Sequence, residues 1–218
     1  MSVEAATSAP LVEPTFSVLD VEPVPHTATP TLRFHLHVED PLGREIHTIV
    51  LSTQINIDPA RRAYDPETRE RLVELFGAPE RWGATTEVFG WAHVDVLVKG
   101  FTGATSFALD VPCTYDLEVA ASKYFYSLPD GEVPLSFLFN GRVLYSGEGD
   151  RLQVAQVPWS CVARWRMPVA VWQRLMAAYY PGGGWVRLRT ETLDRLAARK
   201  AAGGLPDFDA TIAGLLDE

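Results

Sequence analysis

Apolar and polar residues alternate with a period of two along much of the chain from position 31 to 167, the signature of half-buried β-strands. In Thr31–Glu39, Leu32, Phe34, Leu36 and Val38 alternate with Arg33, His35, His37 and Glu39. The turn residues Asp40 to Gly43 lead into 45–58, where His47, Ile49, Leu51, Thr53, Ile55 and Ile57 share one face. Further strands are predicted over 86–99, with Val94, Val96 and Val98 inward, and over 106–114, with Phe107, Leu109 and Val111 inward. Asn140-Gly141 between the apolar runs 133–139 and 142–145 predicts a hairpin, because Asn-Gly supplies the positive φ values of a tight turn. The longest alternation is 152–167, with Val157, Trp159, Cys161, Trp165 and Met167 on one side. Pro158 within it points to an edge position or a bulge.

Elsewhere the period changes to that of a helix. Asp65-Pro66-Glu67 predicts a capped helix whose apolar face is Leu72, Leu75 and Phe76 and whose end is Gly77; Trp82 then falls in a loop. Asp116 predicts the cap of a second helix carrying Ala121, Tyr124, Phe125 and Leu128. Pro168 starts a third, with Val171, Trp172, Leu175 and Tyr179 on one side, stopped by Pro181 to Gly184. Thr190 caps a fourth, and Phe208, Ile212, Leu215 and Leu216 mark a last short one. The sum is an α+β chain, mainly antiparallel β: a sandwich or strongly bent sheet with short helices at the C-terminal end. Residues 1–30, with Pro10, Pro14, Pro23, Pro25 and Pro30, read as a Pro-rich extension, partly disordered, whose first dozen residues are a mobile tail. Within it, 16–21 could form one edge strand. Residues 31–218 read as a single domain.

Composition narrows the function classes. The 218 residues carry 19 Lys and Arg against 28 Asp and Glu, a net charge of −9. No basic field is present to release counterions from nucleic acid, and the same balance disfavours an anionic membrane surface. The two cysteines, Cys113 and Cys161, have no metal-ligand or CxxC spacing and read as reduced thiols of a cytoplasmic protein. No secretory signal is recognisable at the N-terminus.

Candidate chemistry is sparse. His35 and His37 on one strand, and His93 and Asp95 on another, fall on the polar faces of their strands; were the strands neighbours in register, the four could converge on a metal ion. The alternative is that all are solvent-facing sheet positions. His47, on the face of Ile49 and Leu51, would not join them. Cys113 precedes a helix, where a thiol can be activated, yet shares a face with Leu109 and Val111 and so reads as buried. There is no Gly-x-Ser-x-Gly elbow, and Gly182 to Gly184 lacks the context of a phosphate loop. Trp159, Trp165 and Trp172 lie on apolar stripes and read as core. Trp82, Trp91 and Trp185, in turns or near strand ends, are the candidates for a partner or sugar surface.

Several segments resemble an uncharacterised bacterial domain-of-unknown-function family of about this length: Val111 to Tyr124, Asp130 to Leu135 with Phe139 to Gly141, Gln156 to Trp159, and Val171-Trp172 through Tyr180 to Trp185. The resemblance spans roughly residues 30–217, the ordered domain by the composition argument. It implies an accessory role, since members occur near uptake nickel–iron hydrogenase genes, and it assigns no catalytic residue. Members often carry a cysteine where this chain has Thr53, which weakens a redox or metal role there. A lesser likeness, to SecB-type export chaperones, rests on Cys113 to Asp116 with its following helix and on Gly131 to Leu135. The long segment 152–167 and the extra helices depart from it.

Three functions follow as expectations. The first is a non-enzymatic accessory or protein-binding module without a cofactor, serving assembly of a hydrogenase or other multi-subunit complex. The second is a metal-dependent enzyme or metal carrier built on His35, His37, His93 and Asp95. The third is a small-ligand or carbohydrate-binding sandwich using exposed tryptophan.

Overall fold

A computed structural model describes residues 13–217; the expected N-terminal tail lies outside them. The described chain is α+β and mainly antiparallel, as the alternation implies. Contacts divide it into two compact units, one ending at Gly184 and one beginning at Trp185. The run Pro181 to Gly184 lies at the boundary. It gives the chain no side chains with which to pack at three successive positions.

The first unit is built from two sheets. Strands β1 (Thr15–Pro23), β2 (Thr31–Glu39) and β5 (Ala104–Pro112) form a three-stranded sheet in the order β1-β2-β5. β1 is the edge strand anticipated over 16–21. Strands β3 (Glu45–Ile57), β4 (Phe89–Thr102), β6 (Glu132–Ser146), β7 (Leu152–Gln156) and β8 (Val162–Pro168) form the second sheet, in which β3 lies between β4 and β6. Leu32, Phe34, Leu36 and Val38 of β2 are all fully buried, as their alternation requires. Each contributes about 1.5–3 kcal/mol in apolar burial. Phe34 meets Trp91, Phe137 and Trp165 edge to face at centroid distances of 6.0, 5.3 and 6.1 Å, so the two sheets share one core.

Three departures from the sequence pattern shape the second sheet. Asn140-Gly141 makes no turn: β6 runs straight through it, paired with β3 from Leu135 to Tyr145. A Cβ at Gly141 would lie 2.1 Å from the Val50 carbonyl oxygen, so this glycine permits a close backbone approach. Next, the stretch 152–167 is two strands, β7 and β8, which occupy successive lengths of the same edge of β6. Five residues, 157–161, span the gap opposite three residues of β6, and the excess loops outward, held by Val157 N–H donating to the Gly141 carbonyl and Cys161 N–H to the Pro158 carbonyl. Lastly, a bulge between Ile46 and Thr48 shifts the register of β3 on β6. Ile46 becomes buried and His47 exposed, opposite to simple parity.

The helices of the first unit gather at the end of the sheets where β3 and β5 finish. α1 (Pro66–Arg71) starts as expected, with the Asp65 carboxylate accepting from Thr68 N–H at 2.9 Å. It kinks at Leu72 into α2 (Val73–Phe76), closed by Gly77. Trp82 begins the short α3 (Trp82–Thr85) and is buried, its indole N–H donating to the Gly77 carbonyl at 2.9 Å. α4 (Ala120–Ser127) starts four residues after Asp116, which instead closes a turn by accepting from Glu118 N–H. α5 (Val169–Tyr179) follows Pro168 and is anchored through the Tyr179 hydroxyl to Thr27 in the β1–β2 turn. The second unit holds α6 (Thr190–Gly203) and α7 (Phe208–Leu216). Arg189, not Thr190, occupies the cap position of α6, while the Asp207 carboxylate caps α7. Among the described residues no helix is long and apolar enough to cross a membrane.

Candidate functional site

The paired positions His35–His37 and His93–Asp95 do not meet. β2 lies in the three-stranded sheet between β1 and β5, and β4 lies in the other sheet beside β3. Both pairs face away from the shared core. His35 Nε2 is 3.0 Å from a Glu22 carboxylate oxygen, and His37 Nδ1 is 3.4 Å from the Ser106 hydroxyl. His93 and Asp95 instead surround Ser52, whose hydroxyl lies 2.6 Å from His93 Nε2 and donates to Asp95 at 2.5 Å. That is not a nucleophile relay. The hydroxyl proton is committed to the carboxylate, and Asp95 approaches the same imidazole nitrogen as Ser52, at 3.9 Å, instead of orienting the ring from its far side. The trio is also exposed on an open sheet face. Among the described residues no group of three or more His, Cys, Asp and Glu side chains is placed to hold a metal ion.

Cys113 is buried, and burial pushes its thiol up to about 12, the opposite of activation. Cys161 is half-buried and its thiol is also raised, chiefly by burial. Both are free.

Of the three proposed surface tryptophans, Trp82 is in the core, Trp91 packs edge to face on Phe34 and Phe125, and Trp185 is exposed. Trp159, expected in the core, is 90% exposed at the tip of the 157–161 loop. The alternation that placed it inward is broken there by the two excess residues.

A more developed concavity lies between α4 and α5. Its aromatic lobe, about 300 Å³, is lined by Tyr115, Tyr126, Trp172, Tyr180, Met176 and the Gly182–Gly183 backbone. Local chemistry puts Tyr115 there. After β5 the chain makes two successive side-chain-closed turns, Asp116 N–H donating to the Thr114 hydroxyl and Glu118 N–H to the Asp116 carboxylate. Ser122 of α4 donates back to the Thr114 carbonyl at 2.7 Å and fixes the loop on the helix. Tyr115 then stacks on Tyr180 (5.2 Å between centroids, 30° between planes) and meets Trp172 edge-on at 5.6 Å and Tyr126 at 6.2 Å. Trp172 is in turn backed by Phe125, stacked at 5.4 Å. Burial raises the Tyr115 hydroxyl above its ordinary value, so it stays neutral at physiological pH.

Tyr126 and Gln173 also line a second lobe of about 750 Å³. Gln173 holds the partition in place by donating to the carbonyls of Leu128 and Pro129, both at 3.1 Å, at the end of α4. The second lobe is charged. Lys123 pairs with Glu74, and Arg71 pairs with Glu67 at 2.5 Å. Glu118 forms no ion pair among the described residues and is the uncompensated charge of this wall. The two hollows adjoin across Tyr126 and Gln173, one aromatic and the other of mixed charge, with no nucleophile–base pair in their lining. Sequence reasoning placed Tyr115, Trp172 and Tyr180 in the segments that carry the family resemblance and read Trp172 as core, without assigning any of them to a site.

Residues 11–218 match the model of a family described as a family of unknown function, DUF6084. No curated protein matches the sequence. Among solved structures, a protein assigned as late embryogenesis abundant (LEA) is similar at 13% identity over 71% of this chain and 70% of its own, with a TM-score of 0.32. A Bordetella pertussis protein assigned as ApaA is similar at 10% identity over 72% of this chain and 94% of its own, with a TM-score of 0.25. Likenesses this distant carry no argument.

Proposed function

The chain belongs to the DUF6084 family, a family of unknown function, and from the geometry of its cleft we propose that it is a non-enzymatic protein-binding module. The reading rests on the two-lobed cleft between α4 and α5, which offers an aromatic pocket beside a charged trough. Aromatic pockets next to polar rims are what protein-recognition hot spots use: large rigid rings give contact area at little entropic cost, and the charged rim selects the partner. The resemblance noted above makes assembly of a multi-subunit enzyme such as an uptake hydrogenase the setting in which the partner is sought.

A site-specific photo-crosslinker tests this. Placed at Tyr126, on the wall between the lobes, it is expected to yield a discrete adduct with one polypeptide in cells that make the native complex. Placed at Leu19, which is 55% exposed on β1, it is expected to yield none. Equal labelling from both positions, or no polypeptide adduct from Tyr126, would overturn the proposal.

A further inference from the structure

Strand β4 has one edge that the fold leaves open. It pairs with β3 on one side and, among the described residues, with no strand on the other. After Gly103 the chain crosses to the other sheet as β5, which pairs with β2 instead. The ladder with β3 is regular from Ala92 to Thr102 and is broken beyond Ala92 by a bulge at Trp91. The Thr48 hydroxyl donates to the Val98 carbonyl at 2.9 Å, so that carbonyl faces β3. By the alternation of an antiparallel ladder, the N–H and C=O groups of Asp95, Leu97 and Lys99 then point to the open edge, where no backbone partner meets them among the described residues. A long open edge is a template for another strand unless charges, prolines or a bulge guard it. Here the charges are reciprocal. On the outer face Asp95 and Lys99 flank Leu97 symmetrically, and Leu97 is also the middle residue of the regular length. Asp95 and Lys99 stand about 13 Å apart along the strand, too far to pair with each other. Lys99 is exposed and forms no ion pair among the described residues.

We propose that the open edge of β4 is a self-association surface, to which a second copy of this chain adds its own β4 antiparallel about a two-fold axis at Leu97. A two-fold normal to the sheet sets one residue opposite its own counterpart and pairs the others at equal distances on either side. Centred on Leu97, Asp95 faces the second copy's Lys99, and Lys99 faces its Asp95. Leu97, 64% exposed, meets its counterpart, and Val50, its neighbour on β3 and 52% exposed, extends the contact on both sides into one apolar stripe. On the inner face the half-buried Val96 meets the second copy's Val98, and Val94 meets Gly100, which has no side chain to obstruct it. Other registers lose this match. Shifting the axis one residue either way sets Asp95 against Leu97 or Phe101, and centring it on Asp95 sets two carboxylates face to face. Centring it on Val94 joins His93 to Asp95 but runs the pairing into the Trp91 bulge. Nothing in this pairing depends on the α4–α5 cleft, so either can fail without the other.

Sedimentation equilibrium of the full chain at low ionic strength is expected to show a reversible dimer with a dissociation constant below about 500 µM; a chain that stays monomeric up to that concentration overturns the proposal. Asp95→Lys sets lysine against Lys99, and Lys99→Asp sets aspartate against Asp95. Both positions are exposed, so each variant is expected to keep the melting temperature while the dimer weakens about tenfold. Mixed in equal amounts, the two variants are expected to recover the association of the unaltered chain, because one edge then carries both lysines and the other both aspartates. Leu97→Cys is expected to form an interchain disulfide under mild oxidation, since opposed residues of a hydrogen-bonded pair have Cα atoms about 5.5 Å apart. Asp95→Cys lies out of register with its own counterpart and is expected to form none beyond the background of the unaltered chain, whose free cysteines are Cys113 and Cys161. A dimer untouched by both charge reversals overturns the proposal, as does a mixture that fails to recover association. Equal crosslinking from the two cysteine variants overturns it too.

Discussion

Replacing Gly141 by alanine separates two structural readings of the same dipeptide. In a hairpin turn the new methyl group would point to solvent, and the cost would be the modest strain of a left-handed residue. In the continuous strand β6 the methyl carbon would sit 2.1 Å from the Val50 carbonyl oxygen and 3.1 Å from the Leu51 Cα. Those are backbone atoms of the central strand β3, so no side-chain rotation relieves the clash. Ordinary contact at such a carbon begins near 3.4 Å, so β6 and β3 must part by about 1 Å, which strains or breaks ladder hydrogen bonds worth about 1 kcal/mol each and opens the packing around Leu51. The expected loss is about 3 kcal/mol or more. At 2–4 °C per kcal/mol for a chain of this size, the melting temperature falls by roughly 6–12 °C. Gly43→Ala is the reference: its φ is +63°, yet nothing lies within 4 Å of the added carbon. Its cost is the left-handed penalty alone, about 1–2 kcal/mol. Guanidinium unfolding followed by near-ultraviolet circular dichroism measures both. If Gly141→Ala costs no more than Gly43→Ala, the continuous strand is wrong.

Asp40, nearly fully buried, accepts three hydrogen bonds from Arg44, and the guanidinium holds its carboxyl below the usual carboxylate range. A lowered folded pKa means that folding favours the ionised form. This contribution is complete above about pH 4 and is lost as the pH falls through the lowered value; Asp40→Asn is expected to remove about 3 kcal/mol at neutral pH and to flatten the acid limb of the stability curve. Trp172→Ala, which empties a site only 2% exposed, should cost about 3–5 kcal/mol, whereas Trp159→Ala should change stability by less than about 0.5 kcal/mol in the same denaturation assay. Iodoacetamide at pH 8 should label Cys161 well before Cys113 in the native chain, because the latter is buried and its thiol sits near 12; equal rates by mass spectrometry would contradict the burial of Cys113.

The strands whose register is regular were legible from the residues alone. Leu32 to Val38 and Phe107 to Val111 are inward just as their alternation implies, because a uniform pleat leaves no other choice once one face is buried. Local signals failed where a distant backbone intervened. Gly141 looks like a turn residue, but its real constraint is Val50, some ninety positions away. His47 changes face because β3 bulges beside Gly100, whose missing side chain leaves room for the His47 carbonyl: a Cβ there would lie 2.7 Å from it. Thr190 and Asp116 carry capping chemistry, yet each misses the cap position itself, by one residue and by three. The cleft was the least legible part. Tyr115, Tyr126, Trp172 and Tyr180 belong to three segments with no shared period, so only the docking of α5 against α4 makes them one feature.

The interrupted lane beside β6 also has a practical use. Because the polypeptide leaves that lane at residue 157 and rejoins it at 161 with its direction unchanged, extra length spliced in beside Trp159 would lengthen an outward excursion without displacing a single rung on either side. An epitope or a fluorescent reporter grafted there gives a handle on the intact molecule that leaves the α4–α5 end untouched.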